Sequence, residues 1–466
     1  MSACAAANRP KKWFTGAEHI NMKLEIPSSA EKILRILEDS GYEAYVVGGC
    51  VRDSILGRCP DDWDITTSAS PEQVKALFHR TVDTGLQHGT VTVLMDREGF
   101  EVTTYRVDGD YEDGRHPKEV MFTASLEEDL KRRDFTINAM AYHPDRGIVD
   151  LFHGMEDMKN QVIRCVGDPM ERFGEDALRI LRAVRFSAQL GFSIHENTRQ
   201  GIYALAGNLH YVSAERIQVE LVKLLVSAHP DYLRTAYETG ITKEFLPEFD
   251  LCMETEQNTP HHCYTVGEHT LQSLLNVRAD KVLRLTMLLH DIGKPVMKTT
   301  DENNRDHFKM HGPESEKMAK AILRRLKFDN DTIHKVCRLV KWHDARPLPE
   351  MTSVRRAVNQ IGEDIFPLYL EVQKADMLAQ SFYKREEKQQ RLIGVEKCYE
   401  EILKKQQCVS LKNLAVTGRD LIGAGCKPGP RLGEILDDML AHVLEYPEDN
   451  TKEKLMDLLK NDLSAI

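Results

Sequence analysis

Two aspartates separated by one residue, Asp62 and Asp64, occur in the run DDWDIT. On an extended chain, alternate side chains project to the same face, so these carboxylates are expected side by side. Neighbouring carboxylates repel each other unless a divalent cation lies between them, and Mg²⁺ prefers such oxygen ligands together with substrate phosphates. Two metal ions held in this way activate a hydroxyl group and neutralise a leaving pyrophosphate. We therefore predict a Mg²⁺ site at Asp62 and Asp64, with Glu101 as a third carboxylate.

The segment before these acids, VVGGCVRD, is typical of a short apolar strand that turns into a short helix. Gly48 and Gly49 let backbone N–H groups approach an anion closely. Arg52 lies one helical turn further on, where a guanidinium can clamp a phosphate. The alternative is a surface turn with a capping aspartate, but the glycines, the arginine and the strand together favour the metal and phosphate site.

A run of acidic and basic residues, EDALRILRAVRF, predicts a helix with one apolar face. Asp176 and Arg179 are three positions apart, so they are expected to be neighbours on the helix surface. Arg182 and Arg185 follow at further steps of three and would form a curved basic wall. A solvated charged face is the alternative interpretation.

Histidines and aspartates with the spacing of metal ligands occupy the second half of the chain. They are His269, His290, Asp291, His311, His343 and Asp376. Imidazole and carboxylate ligands suit a divalent transition metal, or Mg²⁺ if carboxylates dominate. A histidine on a helix is commonly a packed or exposed residue, but the adjacent His-Asp pair followed by IGKP indicates a metal site.

The elements that must position these residues change along the chain. Helices and apolar β-rich runs alternate from Pro27 to about Asp150, which predicts an α/β domain. From Asp168 onwards the sequence predicts helices, and residues 260–385 contain eight of the 18 histidines. A Gly/Pro-rich break at 423–430 interrupts a small C-terminal segment.

Composition limits the classes of protein that this chain can be. It has 466 residues, 62 Lys and Arg against 73 Asp and Glu, and a formal net charge of −11, which argues against coating nucleic acid through bulk charge but allows a local basic groove. No stretch approaches the ~20 apolar residues of a membrane helix, and the N-terminus is wrong for a secretion signal. The ten cysteines include no CxxC pair, so we expect reduced thiols and a cytoplasmic protein.

The motifs GGCVRD with DDWDIT, DLKRRDFTINAMA, DLFHG and EDALRILRAVRF occur in this order. In this the sequence resembles the class II CCA-adding tRNA nucleotidyltransferases, and bacterial poly(A) polymerases of the same superfamily share most of these motifs. The resemblance implies an α/β polymerase-β-like nucleotidyltransferase head, an all-α neck and body, a helical domain and a small helical tail. The implied boundaries are a flexible leader at 1–25, head 26–165, neck and body 166–250, metal domain 260–385 and tRNA-binding tail 410–466.

The resemblance also implies roles for individual residues. In the family, the aspartates matching Asp62 and Asp64 hold magnesium. The residues matching Asp176 and Arg179 form the pair that recognises the base of the incoming nucleotide. Further matching residues are expected to contact the nucleotide. Gly49, Arg52 and Asp53 would contact its triphosphate side, and Arg133 and Asp134 would contact its phosphates and sugar. Arg182 and Arg185 would contact it along the basic wall.

Hydrogen-bond complementarity explains how such a pair selects a nucleotide. Cytosine and adenine both present an amino donor beside a ring-nitrogen acceptor, which match a carboxylate and a guanidinium respectively. Uracil and guanine reverse this order, which leaves buried polar groups unmatched at ~1–3 kcal/mol each. One Asp–Arg pair therefore favours CTP and ATP over UTP and GTP without a template.

The histidine-rich region resembles the HD metal-dependent phosphohydrolases. The resemblance implies that His269, His290, Asp291 and Asp376 hold one metal and that His311 and His343 help to hold a second. It suggests an accessory phosphatase or cyclic phosphodiesterase activity. The alternative is a degenerate HD fold that is kept for its shape.

Three further segments resemble the CCA-adding family. A polar loop, DGDYEDGRHPKEV, matches a flexible loop that the family needs to add the final A, although a loop without a role is the alternative. Arg216 lies in a helix that supports the nucleotide pocket and is expected to contact the base-reading helix or to have a structural role. Lys427 and Arg431 of the tail would meet tRNA phosphates, or are solvated turn residues.

The function that we predict is template-independent addition of C, C and A to the 3′ end of tRNA from CTP and ATP, with Mg²⁺ and release of pyrophosphate. A poly(A) or A-only polymerase is a close alternative. In a different class of alternative, the head is vestigial and the HD region is the only enzyme.

Overall fold

The computed structural model of the chain describes residues 19–20, 22–86, 89–108 and 120–463. The chain divides into two compact units, one that ends at Phe245 and one that begins at Leu246. Most of the predicted leader and most of the predicted polar loop, at 109–119, lie outside the described residues. No helix of the described ranges is long and apolar enough to cross a membrane.

The first unit contains an eight-stranded mixed sheet with the strand order β1-β10-β9-β2-β3-β6-β5-β4. Its strands are β1 (His19–Ile20), β2 (Ala44–Val47), β3 (Ile65–Thr67), β4 (Thr81–Gly85), β5 (Thr90–Met95), β6 (Glu98–Thr104), β9 (Met140–His143) and β10 (Gly147–Asp150). Three two-stranded sheets pair β7 (Arg106–Asp108) with β8 (Val120–Phe122), β11 (Val162–Ile163) with β12 (Ser193–Ile194), and β13 (Thr299–Thr300) with β14 (Asp306–His307).

The register of the large sheet brings the carboxylate segments together. Strand β3 runs parallel to β6 with Ile65 opposite Val102, and antiparallel to β2 with Ile65 opposite Val46. Every residue of β2 and β3 is buried, because helices and neighbouring strands cover both faces at this point. The residues just before β3 therefore lie beside the middle of β6 and beside the end of β2.

The helices of the first unit surround this sheet and continue beyond it. They are α1 (Ser28–Asp39), α2 (Gly49–Ile55), α3 (Pro71–Leu77), α4 (Leu126–Lys131), α5 (Gly154–Asn160), α6 (Pro169–Glu175), α7 (Leu178–Leu190), α8 (Glu196–Leu205), α9 (Ala214–Leu225), α10 (Leu233–Glu238) and α11 (Thr242–Phe245). Helix α7 buries its apolar residues and ends at Gly191, whose φ of +73° is the left-handed conformation that favours glycine at a helix end.

The second unit consists almost entirely of helices. They are α12 (Pro247–Glu254), α13 (Val266–Leu275), α14 (Lys281–Leu289), α15 (Lys294–Met297), α16 (His311–Arg325), α17 (Asn330–Trp342), α18 (Met351–Ile361), α19 (Phe366–Ala379), α20 (Arg385–Lys404), α21 (Gly418–Gly423), α22 (Pro430–Glu445) and α23 (Lys452–Leu463). The predicted helical pattern of this region is thus observed, with only the hairpin β13–β14 inserted between α15 and α16.

Helix α1 begins without a side-chain cap. Two serines open the helix, but Pro27 occupies the capping position and no side chain caps the helix. The hydroxyl of Ser29 instead donates to Asp96 at 3.0 Å. The fixed φ of proline sets the entry into the helix, which leaves the serine free for a contact between distant parts of the chain.

Candidate functional site

The glycine turn leaves room for an arginine. Gly48 has a φ of +83°, and a Cβ added there would lie 2.9 Å from Nη1 of Arg133. Any other residue at this position would be strained and would also displace the guanidinium. The turn therefore brings Arg133 against the start of α2, and the buried Nε of Arg133 has no hydrogen-bond partner within the described part of the chain.

The three predicted carboxylates lie close enough to interact electrostatically, beside the start of the interior strand β3. Asp62 and Asp64 lie in the extended segment just before β3, where the carbonyl of Asp64 accepts from the backbone N–H of Val47 at 3.0 Å. The parallel register of β3 and β6 brings Glu101 beside Asp64. Burial raises the pKa of Asp64, Arg133 opposes this, and the negative charges of Glu101 and Asp62 raise it further.

This arrangement fits a hard divalent cation. Asp62 and Glu101 are exposed and Asp64 is half-buried, so the three groups form an open cluster of oxygen ligands. Burial is the main cause of the raised pKa of Asp64, and the repulsion from Glu101 and Asp62 that adds to it is a contribution that a cation would relieve. Asp62, Asp64 and Glu101 are thus the residues that could hold Mg²⁺ in the head.

Arg52 is not a free phosphate clamp in this structure. Its Nε and Nη2 donate to the two carboxylate oxygens of Asp53 at 3.0 and 2.8 Å, and its Nη1 donates to Asn138 at 2.6 Å. Arg52 and Asp53 therefore bind each other in this structure, and the predicted contact with a triphosphate would form at this ion pair. Sequence reasoning missed Asn138, although it lies within the quoted run DLKRRDFTINAMA.

Asp134 joins this network to α7. Its Oδ1 accepts from the Nδ2 of Asn138 at 3.1 Å, and its Oδ2 accepts from the Nε and Nη2 of Arg182 at 2.9 and 2.6 Å. Burial alone would raise the pKa of Asp134, but Arg182 and the hydrogen bond from Asn138 hold it below its ordinary value. The carboxylate is therefore ionised and fixed in place.

The predicted basic wall of α7 is neutralised by acidic partners. Arg179 donates to Glu175 at 2.6 Å and to the carbonyl of Arg132 at 3.0 Å, and Arg185 donates to Glu220 at 2.8 Å. Together with the pair formed by Arg182, these contacts balance the charge of all three arginines. The wall is a set of positioned ion pairs and not a free cationic surface.

The position of Asp176 corrects the predicted helix. It lies between α6 and α7, and its carboxylate accepts the backbone N–H of Leu178 at 3.0 Å, a local bond that competes with helical structure. Both carboxylate oxygens also accept from Arg216, at 3.2 and 2.7 Å. The expected contact of Arg216 with the base-reading segment is thus present, whereas the guanidinium of Arg179 is held by Glu175.

In the second unit, the six predicted ligands converge. Asp291 belongs to two groups of ligand atoms, one with His269 and His290 and one with His311 and His343, and within each group the atoms lie within 4.8 Å of one another. Asp376 lies 3.0 Å from the Nε2 of His269. We call these six residues the histidine cluster.

The backbone orients every histidine ring of the cluster. Each Nδ1 bonds a backbone carbonyl, in the pairs His269 with Ala379 (3.4 Å), His290 with Met287 (2.7 Å), His311 with Phe308 (2.7 Å) and His343 with Val340 (2.6 Å). Because a carbonyl only accepts, each Nδ1 carries the proton and each Nε2 presents a lone pair. A hydrogen bond from the ring nitrogen that does not bind the metal, here Nδ1, is typical of metal-ligating histidines.

Asp291 lies between the two groups of histidines. It is buried, and neither of its carboxylate oxygens has a hydrogen-bond partner of good geometry within the described residues. Its Oδ2 lies 3.2 Å from His290 Nε2 and its Oδ1 lies 3.4 Å from His343 Nε2. This buried set of carboxylate and imidazole donors could hold divalent metal ions.

A cavity of about 530 Å³ opens on the histidine cluster. Four residues of the cluster line it, namely Asp291, His311, His343 and Asp376. The lining also includes the basic side chains of Lys294, Arg305, Lys309 and Arg346. The ammonium of Lys294 is buried and lies 2.8 Å from Asp291. The cavity thus combines potential metal ligands with cations.

Comparison with known proteins decides the family. The family models for the poly A polymerase head domain, the probable RNA and SrmB-binding site of polymerase A, and the putative tRNA nucleotidyltransferase domain 2 match residues 44–164, 191–253 and 310–459. A CCA-adding enzyme of Levilactobacillus brevis is 38% identical over 447 residues, which cover 94% of this chain and 98% of that protein. The chain belongs to the CCA-adding enzymes.

Two further relatives agree with this assignment. The CCA-adding enzyme of Lactobacillus helveticus is 35% identical over 436 residues, 93% of this chain and 96% of that protein. The crystal structure of the Bacillus stearothermophilus CCA-adding enzyme in complex with CTP matches with a TM-score of 0.67 and 30% identity, covering 94% of this chain and 98% of that one. The predicted family and fold class are confirmed: a nucleotidyltransferase head with a mixed sheet precedes a helical remainder in this CCA-adding enzyme.

Proposed function

We propose that this chain adds C, C and A in sequence to the 3′ end of tRNA, with CTP and ATP as substrates. The observation that carries the proposal is the meeting of Asp62, Asp64 and Glu101 beside Arg133 at the glycine turn. Open carboxylates suit metal ions that bridge to a triphosphate, and the adjacent guanidinium suits its phosphates. The full-length relatives named above are CCA-adding enzymes, which favours this activity over poly(A) synthesis.

The head residues act mainly by positioning the reactants. The 3′-hydroxyl of the tRNA attacks the α-phosphate in line, the new phosphodiester bond forms, and pyrophosphate leaves. Mg²⁺ held by Asp62 and Asp64 would neutralise charge on the phosphates and favour ionisation of the hydroxyl group. Arg133 and Arg52 would bind phosphate oxygens, with Asp53 and Asn138 orienting Arg52 before the nucleotide arrives.

Nucleotide choice would fall to Asp176 and Arg179. Arg216 holds the carboxylate of Asp176 through two hydrogen bonds, which orient it. Because Arg179 is paired with Glu175 in the described structure, binding of a base requires its guanidinium to share or exchange that partner. The pair would then accept from the amino group and donate to the ring nitrogen of cytosine or adenine.

The experiment is to incubate the protein and Mg²⁺ with tRNA that lacks CCA, in the presence of all four nucleoside triphosphates, and to sequence the products. We expect the sequence CCA at the 3′ end with little U or G. Products that contain only A would overturn the proposal in favour of an A-adding or poly(A) polymerase. Nine described cysteines are free thiols, which supports a cytoplasmic location for the reaction.

A second function is supported by a separate observation. We propose that the histidine cluster holds two divalent metal ions and hydrolyses phosphate esters, as the resemblance to HD phosphohydrolases suggests. The buried Asp291, placed between two pairs of oriented histidines, supports the metal centre. Lys294 and the other cations that line the cavity suit the negative charge of a phosphate ester.

This function is tested with model substrates. The full-length protein, loaded with Mn²⁺, Ni²⁺ or Mg²⁺, is assayed on p-nitrophenyl phosphate and on bis-p-nitrophenyl phosphate, which separate phosphatase from phosphodiesterase activity. We expect metal-dependent release of nitrophenol. Failure with every metal, despite measured binding of metal, would support the degenerate HD fold instead.

A further inference from the structure

A chain of buried polar side chains leads away from the histidine cluster. The carboxylate of Asp376 faces His269 through Oδ1, at 3.0 Å, and accepts from the Nε2 of Gln380 through Oδ2, at 2.8 Å. The Oε1 of Gln380 in turn accepts from the ammonium of Lys388 at 2.7 Å. All three side chains are buried, with exposed fractions of 7, 6 and 8%. The chain thus connects α19 to α20 through groups that are largely removed from bulk water.

The chemistry of the end groups fixes the orientation of the amide between them. A carboxylate only accepts hydrogen bonds and an ammonium only donates them, whereas the amide of Gln380 has one side of each kind. Only one orientation of the amide satisfies both neighbours, with its oxygen toward Lys388 and its NH₂ toward Asp376. The opposite orientation would place two acceptors together and two donors together, in a buried environment where unmatched groups cost ~1–3 kcal/mol each.

The same stretch of chain also orients a histidine of the cluster. The carbonyl of Ala379, the residue before Gln380, accepts from the Nδ1 of His269 at 3.4 Å. The carbonyl of Gln380 itself accepts from Arg385 at 2.5 Å, near the start of α20. The end of α19 is therefore fixed against α20 at the point where it supplies both Asp376 and the carbonyl that sets the His269 ring.

We propose that Gln380 and Lys388 are positioning residues of the metal centre. Lys388 sets the orientation of the Gln380 amide, and this amide holds Oδ2 of Asp376, so that Oδ1 is presented to a metal ion beside His269. The inference rests on the metal centre proposed above. It assigns roles to two residues that the metal-ligand spacing of the sequence does not indicate, because neither is a metal ligand itself.

The test measures metal affinity and not catalysis. Mn²⁺ dissociation constants are determined by EPR titration of the full-length wild type and of Gln380→Leu, Gln380→Glu, Lys388→Met and Lys388→Arg. Loss of a hydrogen bond that orients a ligand typically weakens metal binding by about 10–100-fold. We expect Gln380→Leu and Lys388→Met to weaken Mn²⁺ binding by about 10-fold or more, and Lys388→Arg, which also only donates, to retain most of the affinity.

Gln380→Glu separates positioning from simple electrostatics. The new carboxylate still accepts from Lys388 but has no N–H for Asp376, so we expect weaker Mn²⁺ binding although a negative charge has been added near the metal. Tighter binding in Gln380→Glu would overturn the proposal. Lys384→Met is the matched control, since Lys384 is exposed near the start of α20 and pairs only loosely with Glu387, at 3.7 Å; its affinity should equal that of the wild type.

The outcomes distinguish this inference from the proposal on which it rests. If the wild type binds no Mn²⁺ at the cluster, the metal centre itself is refuted. If the wild type binds Mn²⁺ and Lys388→Met and Gln380→Leu bind it equally well, only the positioning role is refuted. Circular dichroism of each variant, measured in parallel, reports that the chain is folded, and Lys388→Arg and Gln380→Glu keep the test decisive if Lys388→Met does not fold.

Discussion

The head site and the histidine cluster hold their candidate metal ligands in different ways. In the head, Asp62 and Glu101 are exposed, and burial of Asp64, together with repulsion from these two carboxylates, raises the pKa of Asp64. In the cluster, His269, His290 and Asp291 are buried, and backbone carbonyls fix the histidine rings. The first set of ligands is open and mutually repulsive, whereas the second is enclosed and oriented.

This difference indicates when each site binds its metal. An open set of carboxylates lacks ligands that a triphosphate can supply, so we expect Mg²⁺ to bind the head most tightly together with the nucleotide. The cluster offers six donors without any substrate, so we expect it to bind metal in the free protein. The following predictions test this contrast, beginning with the largest expected effect.

Removal of both head aspartates should abolish nucleotide addition. In Asp62→Ala/Asp64→Ala, we expect the rate of CMP and AMP incorporation into tRNA to fall by about 10³-fold or more, because metal ions supply several kcal/mol of charge stabilisation. Any hydrolysis of p-nitrophenyl esters by the histidine cluster, as proposed above, should be unchanged. Retention of normal incorporation would refute the role of these two carboxylates in nucleotide addition.

Disruption of the histidine cluster should reduce ester hydrolysis and leave nucleotide addition unchanged. In His290→Ala/Asp291→Ala, we expect hydrolysis of p-nitrophenyl esters to fall by about 10²-fold or more, because two metal ligands are lost. Incorporation of CMP and AMP under saturating nucleotide should remain near the wild-type rate if the variant is folded, as shown by circular dichroism. A matching loss of incorporation would show that the two sites do not act independently.

Substitution of the base-reading aspartate should relax nucleotide choice. In Asp176→Ala, we expect the preference for CTP over UTP, measured as the ratio of kcat/KM values, to fall by about 10-fold, because one buried hydrogen bond is worth ~1–3 kcal/mol. Arg216→Lys, which retains the charge but not the paired hydrogen bonds, should lose less of the preference for CTP over UTP. Unchanged discrimination in Asp176→Ala would refute the base-reading role.

Asp64→Asn should stabilise the metal-free protein. Because the folded state raises the pKa of Asp64 above its unfolded value, the ionised carboxylate disfavours folding at neutral pH. In EDTA at pH 7, we expect the variant to have a free energy of unfolding about 1 kcal/mol above that of the wild type, measured by urea titration. The advantage should shrink as the pH falls through the raised pKa, because the wild-type carboxyl becomes neutral.

Asp134→Asn is the matched control for that prediction. The folded state lowers the pKa of Asp134, so its ionised form stabilises the fold above its unfolded pKa and this contribution is lost as the pH falls. The same titration should therefore show the opposite sign, a destabilised variant at pH 7. If the two substitutions changed the free energy of unfolding at pH 7 in the same direction, the electrostatic description of the head would be contradicted.

Short-range patterns predicted much of this architecture. The alternation around Asp62 and Asp64 and the glycine turn led correctly to the head, because strand and turn geometry depend on neighbouring residues. The partners of the arginines were not predictable in this way. Arg182 pairs with Asp134, which is distant in sequence, and Asp176 leaves the helix because its side chain bonds the backbone of Leu178.

How the side chains of the histidine cluster are oriented was the other feature that the spacing of residues in the sequence did not reveal. The six residues of the histidine cluster follow from a recognisable pattern of ligand types, and the structure brings them together. Gln380 and Lys388 follow from no such pattern, because their roles depend on which acceptor or donor each amide and ammonium group meets after folding. Residues that position ligands are visible only in three dimensions.

The contrast between the two sites is tested most directly by counting bound Mn²⁺ with EPR, with and without CTP, in the wild type and in His290→Ala/Asp291→Ala. The account predicts that the wild type binds Mn²⁺ tightly without CTP, and that the variant loses this binding but gains Mn²⁺ when CTP is added. Equal binding of Mn²⁺ by both proteins in the absence of CTP would contradict it.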